Sequence, residues 1–477
     1  MGAGEDRISG LPDKLLLCIL ARLGSARAAV RTGVLSRRWR HILGPLPLLL
    51  LDGNHGAPPP PLESVLDKID AALAACDAPI FKRLDIGFGL WSTADGLGVP
   101  AMRAARWLRF ASERVVDGLY IYLPRPEIAD GEQEAVLELP ACEAVTTIQL
   151  VLVATWQIQP SSAGLFRALT DLRIRCGSMD GGELAALVCT QCPCLVNLKL
   201  SLMELVNSPD VSIRSDSMQS LDFAVNGTLR LQIVAPRLEK LSLSCIKINE
   251  ARICAPKLAE LGWSNGSYDP DRHQFEGVGR RLRVLKPGRN ASLMRQLFEQ
   301  VDELSLSIWI GRGIAEYRRF LNETKNLPKC NILNISVVWN HHGFVPCMLH
   351  LLRSCNSTRK VSLFMHVSAY EKRRRCDPSC PCRFEKSHRI DDISLNSLEE
   401  VEITSYTSSQ NVLEFVEQLS RCSAAQLKKV VMKHKMKKIK PAPPPTKEAR
   451  EKICRMFQPN IEVEFYVFSK LELVRLD

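Results

Sequence analysis

The chain has 477 residues, of which 46% are apolar, 6% aromatic and 24% charged, with a formal net charge of +11. This much apolar content excludes a chain that stays disordered for want of a core, and the length allows two or three modules. The positive charge is spread along the chain with no basic stripe interleaved with aromatics, so nucleic-acid binding is not expected as a main role.

No apolar run approaches membrane-spanning length, Leu46 to Leu51 being far too short, so no membrane partner is expected. Acidic residues precede the first apolar run, which speaks against a secretory leader. Many of the 17 cysteines, among them Cys18, Cys245 and Cys254, sit inside apolar patterns and read as small buried side chains. Reduced thiols in the cytoplasm and/or nucleus are the expectation.

The first predicted element begins at Pro12, where a helix's first turn tolerates a residue without an N–H. Leu15, Leu16, Ile19, Leu20 and Leu23 then recur at helical spacing and make one broad apolar face. Gly24 and Ser25 break the pattern, and a second helix is predicted from about Ala28 to Ile42 with Val30, Val34, Leu35, Trp39 and Ile42 inward. Arg37, Arg38 and Arg40 lie near its end, where cations complement the helix dipole. Helices this short bury little by themselves, so the apolar face is either sealed by a partner or forms the end of a larger helical core.

The order and spacing of this stretch resemble a plant F-box. The resemblance is carried by Asp6-Arg7-Ile8-Ser9, Leu11-Pro12-Asp13, Leu15-Leu16, Ile19-Leu20, Ala29-Val30-Arg31-Thr32 and Val34-Leu35-Ser36-Arg37-Arg38-Trp39. Lys14 departs from the acidic or small residue that the family often has there. The resemblance implies that residues 6–52 bind a Skp-type adaptor and, through it, a cullin scaffold. Leu11, Pro12, Leu15, Leu16, Ile19, Leu20, Val34, Leu35, Arg38 and Trp39 are the implied adaptor contacts.

Residues 53–80 read as a linker and a helix. Ala57 to Pro61 is a proline-rich, extended break, and Leu62, Val65, Leu66, Ile69 and Leu73 fall on one side of a helix over about Leu62 to Cys76. From Phe81 a three-position apolar pattern recurs about every 20 to 30 residues, the leucine-rich-repeat period. It appears as Phe81-Leu84-Ile86, Val116-Leu119-Ile121, Val145-Ile148-Leu150, Leu169-Leu172-Ile174 and Leu195-Leu198-Leu200. It continues as Met218-Leu221-Phe223, Leu238-Leu241-Leu243, Leu258-Leu261-Trp263, Val301-Leu304-Leu306 and Cys330-Leu333-Ile335.

In each match the last two positions alternate as a strand should, with both on one side. A single unit cannot bury that side alone, so the units must stack, with a parallel sheet on the inner surface. Val234-Ala235-Pro236-Arg237-Leu238 and Cys254-Ala255-Pro256-Lys257-Leu258 repeat a proline turn between strands. The consensus asparagine is mostly absent, so residues 81–370 form an irregular array, similar to the repeats that follow the F-box in a large plant family.

The outward strand positions would make a binding surface, with contributions from Arg173, Arg175, Lys199, Asp222, Trp263 and Trp309. Taken singly, each reads equally as a solvated strand residue. The substrate-binding residues stay unassigned.

Residues 371–390 hold Cys376, Cys380, Cys382 and His388, which could in principle ligate zinc, but these cysteines include no Cys-x-x-Cys pair. The segment reads as an exposed Cys/basic loop, and no metal or cofactor is assigned. Beyond it, strands are predicted at Leu398 to Ile403, Leu427 to Met432 and Ile461 to Phe468, with helices at Asn411 to Cys422 and Thr446 to Phe457. This strand–helix–strand unit, residues 391–470, resembles the FBD module of plant F-box proteins and would cover the end of the array. Lys433, Lys435, Lys437, Lys438 and Lys440 form a basic run that reads either as a nuclear import signal or as a solvated loop.

No phosphate loop, nucleophile elbow or zinc-helix motif is present, and no catalytic residue is assigned. The expected fold class is α/β: a small helical F-box, an irregular leucine-rich-repeat solenoid and an FBD cap. The expected function is that of a non-catalytic, substrate-recognising subunit of an SCF-type ubiquitin ligase, whose repeats hold an unknown target protein. The alternative is a repeat scaffold that binds a partner without any ligase.

Overall fold

A computed structural model describes residues 11–12, 62–74, 79–88, 98–127, 135–153, 155–244, 248–264, 266, 268–288, 291–310, 313–339, 344–354, 357–367, 393–405, 410–435, 444–469 and 472–476. These form two compact units. The first holds the described residues up to 238, then 248–256 and 274–276; the second holds 239–244, 257–273 and 277–476.

The first unit opens with helix α1 (Leu62–Ala74), whose buried residues Leu62, Val65, Leu66, Ile69 and Leu73 are those that the spacing predicts. Helix α2 (Ala101–Arg114) buries Ala104, Trp107, Leu108 and Ala111. It runs straight into a strand because Val115 is already extended, at φ −93° and ψ 133°.

Six strands then pair in parallel: β1 (Phe81–Ile86), β2 (Val115–Tyr122), β3 (Thr147–Val151), β4 (Asp171–Arg175), β5 (Asn197–Val206) and β6 (Ser220–Asn226). Leu84, Leu119, Ile148, Leu172, Leu198 and Leu221 stand in one register row and are all buried. Each such leucine gains roughly 1.5–3 kcal/mol from burial, but only when the next strand covers it.

The return segments are strands as well. Ala135–Leu139 pairs with Trp156–Pro160, and Asp210–Arg214, Arg230–Val234 and Glu250–Cys254 make a second parallel ladder. Its alternating buried residues are Val211 and Ile213, Leu231 and Ile233, and Ala251 and Ile253. The repeated Ala-Pro step ends the strands Arg230–Val234 and Glu250–Cys254, and Ala235 and Ala255 are fully buried there.

The second unit continues the same construction with β7 (Lys240–Leu243), β8 (Glu260–Trp263), β9 (Arg281–Lys286), β10 (Gln300–Ile310), β11 (Lys329–Trp339), β12 (Lys360–Val367), β13 (Glu400–Ser405), β14 (Lys429–Lys435) and β15 (Glu462–Ser469). All of these pair in parallel, and β16 (Glu472–Leu476) turns back antiparallel on β15. Helices α3 (Gly313–Thr324), α4 (Phe344–Ser354), α5 (Gln410–Arg421) and α6 (Lys447–Cys454) return the chain between strands. Phe344 of α4 meets Phe415 of α5 edge-on, with ring centroids 5.8 Å apart. The C-terminal strands and helices therefore extend this parallel ladder.

A backbone device replaces the missing asparagines. In many repeats the carbonyl of the residue before the strand accepts two successive N–H groups of the next repeat. The Thr146 carbonyl accepts from Thr170 and Asp171, Thr170 from Val196 and Asn197, and Val196 from Gln219 and Ser220. The second unit repeats this at Glu239, Arg359 and Glu399. Stacked in this way, the corner groups are paired without any particular side chain. Gly288 closes another corner at φ 61°, where a Cβ would collide with the Trp263 carbonyl.

Candidate functional site

Of the expected adaptor contacts, Leu11 is half-buried and Pro12 exposed. Leu15, Leu16, Ile19, Leu20, Val34, Leu35, Arg38 and Trp39 lie outside the described residues, as do Cys376, Cys380, Cys382 and His388. The first fully described element after the N-terminal stretch, α1, is clamped to α2. Arg103 reaches Glu63 at 2.6 Å, Asp67 at 2.9 Å and Asp70 at 3.4 Å, and the Trp107 indole N–H donates to Asp70 at 2.7 Å.

The outward face of the first ladder is ordered in rows by the strand register. One row reads Asp85, Tyr120, Gln149, Arg173, Lys199, Asp222, and the next reads Tyr122, Val151, Arg175, Ser201, Ala224. Arg173, Arg175 and Lys199 are exposed and Asp222 is half-buried, in line with the expected surface. Arg83 lies over the Tyr120 ring at 4.0 Å and pairs with Asp85, while Lys199 pairs with Asp222 at 2.8 Å.

Trp263 corrects the expectation. It stands in register with Leu243, is 3% exposed, and packs against Tyr268 and His273 with centroids at 5.5 and 4.7 Å. Gly262 holds the outward position instead, because alternation after inward Leu261 sends the next residue out and the one after it back in. Trp309, by contrast, is 66% exposed.

Trp309 borders an opening of about 620 Å3 with Leu306, Ile308, Phe320 and Val338 on its walls and the Arg319–Glu323 pair at its rim. It lies where β10 outruns β9, for that pairing stops at Leu285 and Leu304 while β10 follows β11 to Ile310.

The outward face of the second unit's strands is laced with ion pairs. Lys360 meets Glu400 at 3.0 Å, Lys433 meets Glu402 at 2.5 Å, and Lys429 meets Glu464 at 2.7 Å. Lys433 and Lys435 thus lie on β14 and not in a loop, since the strand runs three residues beyond the predicted end; Lys437, Lys438 and Lys440 lie outside the described residues.

Burial pushes the Cys142 and Cys192 thiols up to about 12, so neither is a thiolate nucleophile at neutral pH. Among the described residues, no group of three or more His, Cys, Asp or Glu is gathered to hold a metal, and no helix is long and apolar enough to cross a membrane.

Two family models match the chain: the F-box domain over residues 8–50, and the leucine-rich repeats of the FBD-associated F-box protein At5g56370 over residues 104–316. The chain thus carries an F-box domain and FBD-associated leucine-rich repeats. The putative F-box protein At1g49610 of Arabidopsis thaliana is 28% identical over 243 residues, which is 50% of this chain and 55% of that protein. The F-box/LRR-repeat protein At3g26922 of the same plant is 27% identical over 56% of this chain and 84% of its own length. The MEIOTIC F-BOX protein MOF of Oryza sativa subsp. japonica is 34% identical over 38% of this chain and 39% of its own. The matched stretch thus spans about half of the first of these relatives.

One feature of this F-box/leucine-rich-repeat chain escaped the sequence reading. Leu202 forms a bulge in β5, between Ser201 opposite Ala224 and Met203 opposite Val225. Its signal lies in the phase of the apolar residues. Leu198 and Leu200 are followed by Met203 and Leu205, an odd step that a regular strand cannot make.

Proposed function

We propose that this chain is the substrate-recognising subunit of an SCF-type ubiquitin ligase. What supports the reading most is the F-box match at residues 8–50, set ahead of repeats that present a polar, registered face. In this reading Leu11, Pro12, Leu15, Leu16, Ile19, Leu20, Val34, Leu35, Arg38 and Trp39 meet a Skp-type adaptor, which links to a cullin scaffold. The outward face of the repeats holds a target protein, and residues 391–470 serve as the FBD module. The cytoplasm and/or nucleus is the proposed site of action.

The chain contributes proximity and no chemical group. Holding a target beside a ubiquitin-charged enzyme raises the local concentration of its lysines.

The test is co-purification of the full chain with a Skp-type adaptor. Leu11→Asp combined with Pro12→Ala should abolish capture while leaving the melting profile unchanged. Full capture by the double variant, or none by the parent chain, would reject the ligase reading in favour of a ligase-independent scaffold.

A further inference from the structure

On the outward face of the first unit, a strained apolar residue stands beside a cation that has no counter-charge among the described residues. Leu202, the extra residue of the β5 bulge, has φ 56° and is 60% exposed. A branched side chain at positive φ is an outlier, and strain of this kind persists where the surrounding structure imposes it, often at ligand clamps. Here the surroundings do impose it. Cys176, itself at φ 62°, donates its N–H to the Ser201 carbonyl at 2.8 Å, and the inward residues resume beyond the bulge at Met203. The outcome is a leucine held out in solvent, where it adds nothing to the core.

Ser201, next to that leucine, is in register with Arg175, and the row continues through Val151 to Tyr122. Arg173 has Asp171 at 3.9 Å and Lys199 has Asp222 at 2.8 Å, but among the described residues no carboxylate lies within ion-pair distance of Arg175. A free guanidinium offers a planar fork of donors that matches a carboxylate. Val151 and Tyr122, both half-buried, extend the apolar ground beside it.

We propose that Leu202, Arg175, Val151 and Tyr122 anchor an extended acidic segment of the target protein. One carboxylate is taken by Arg175, and a neighbouring apolar side chain seats against Leu202. This rests on the reading of the repeats as the target-binding face and names the chemistry of what that face takes.

The test pans a random library of phage-displayed peptides against the purified full chain. Peptides that place a carboxylate close to an apolar side chain should be enriched. A synthetic peptide of the enriched sequence should bind Arg175→Glu and Leu202→Gly about ten-fold or more weakly than the parent. Leu202→Gly separates binding from folding, because glycine relieves the left-handed backbone and should hold or raise the melting temperature while affinity falls. No enrichment, enrichment without acidic residues, or binding indifferent to both substitutions would overturn the proposal. Adaptor capture is measured on the same variants and should be unchanged. A parent chain that binds the acidic peptide but captures no adaptor would count against the ligase reading alone.

Discussion

Removing the Arg103 side chain should loosen helix α1 from the repeats. The guanidinium meets three carboxylates, but they are not equal. Glu63 and Asp67 are 64% and 65% exposed, so each pair should contribute only about 0.2–1 kcal/mol. Asp70 is 22% exposed, as is Arg103, and it also accepts from the Trp107 indole. Hydrogen bonds to charged groups in such partly buried positions are worth roughly 1.5–3 kcal/mol, and Arg103→Ala leaves Asp70 with the indole alone. Allowing for screening, the loss should be about 2 kcal/mol. In a unit of this size that lowers the melting temperature by roughly 4–8 °C.

The assay is calorimetric unfolding of the full chain, with hydrogen exchange followed over residues 62–74. Arg103→Ala should speed exchange in α1 selectively, and Arg103→Lys should fall between the two, because an ammonium cannot fork between carboxylates. A transition within about 1 °C of the parent, with unchanged exchange in α1, would refute the reasoning.

Trp263→Ala should destabilise by about 3–5 kcal/mol, since it empties a buried site. Trp309→Ala should leave the melting temperature nearly unchanged, and similar losses for both would show the assignment of faces to be wrong. Hydrogen bonds from Lys429 and Tyr466, with Arg475 nearby, hold the Glu464 carboxyl below its ordinary value. The folded form therefore favours the charged carboxylate. Its contribution is full above the ordinary carboxylate range and is lost as pH falls through the lowered value. Glu464→Gln should thus melt below the parent at pH 7 and converge with it in strong acid; a gap independent of pH in paired thermal scans would contradict this.

Much of the ladder was legible in the sequence because burial acts on every second residue. Leu172 and Ile174, or Leu198 and Leu200, can only face one side, and their spacing from repeat to repeat sets the stack. Helix α1 was legible for the same reason at the helical period. The return strands were not, because Val211 and Ile213 or Leu231 and Ile233 are pairs too short to stand out from chance. The strand Arg281–Lys286 hid between two matches because charged residues surround Leu282 and Leu285. Trp263 misled because a large aromatic suggests a contact surface, while its place after Leu261 made it part of the core. At the candidate site the charges of Arg173, Arg175 and Lys199 were visible. Their pairing was not, since whether a cation is neutralised depends on register across strands.

The doubly accepting carbonyls at the repeat corners bear on how such a molecule can change. A joint made of main-chain atoms survives almost any replacement of the side chains around it, provided that the apolar pair behind it stays. Residues on the solvent side are then released from architectural duty. A lineage built on this joint can re-letter its contact face freely without disturbing the stack behind it.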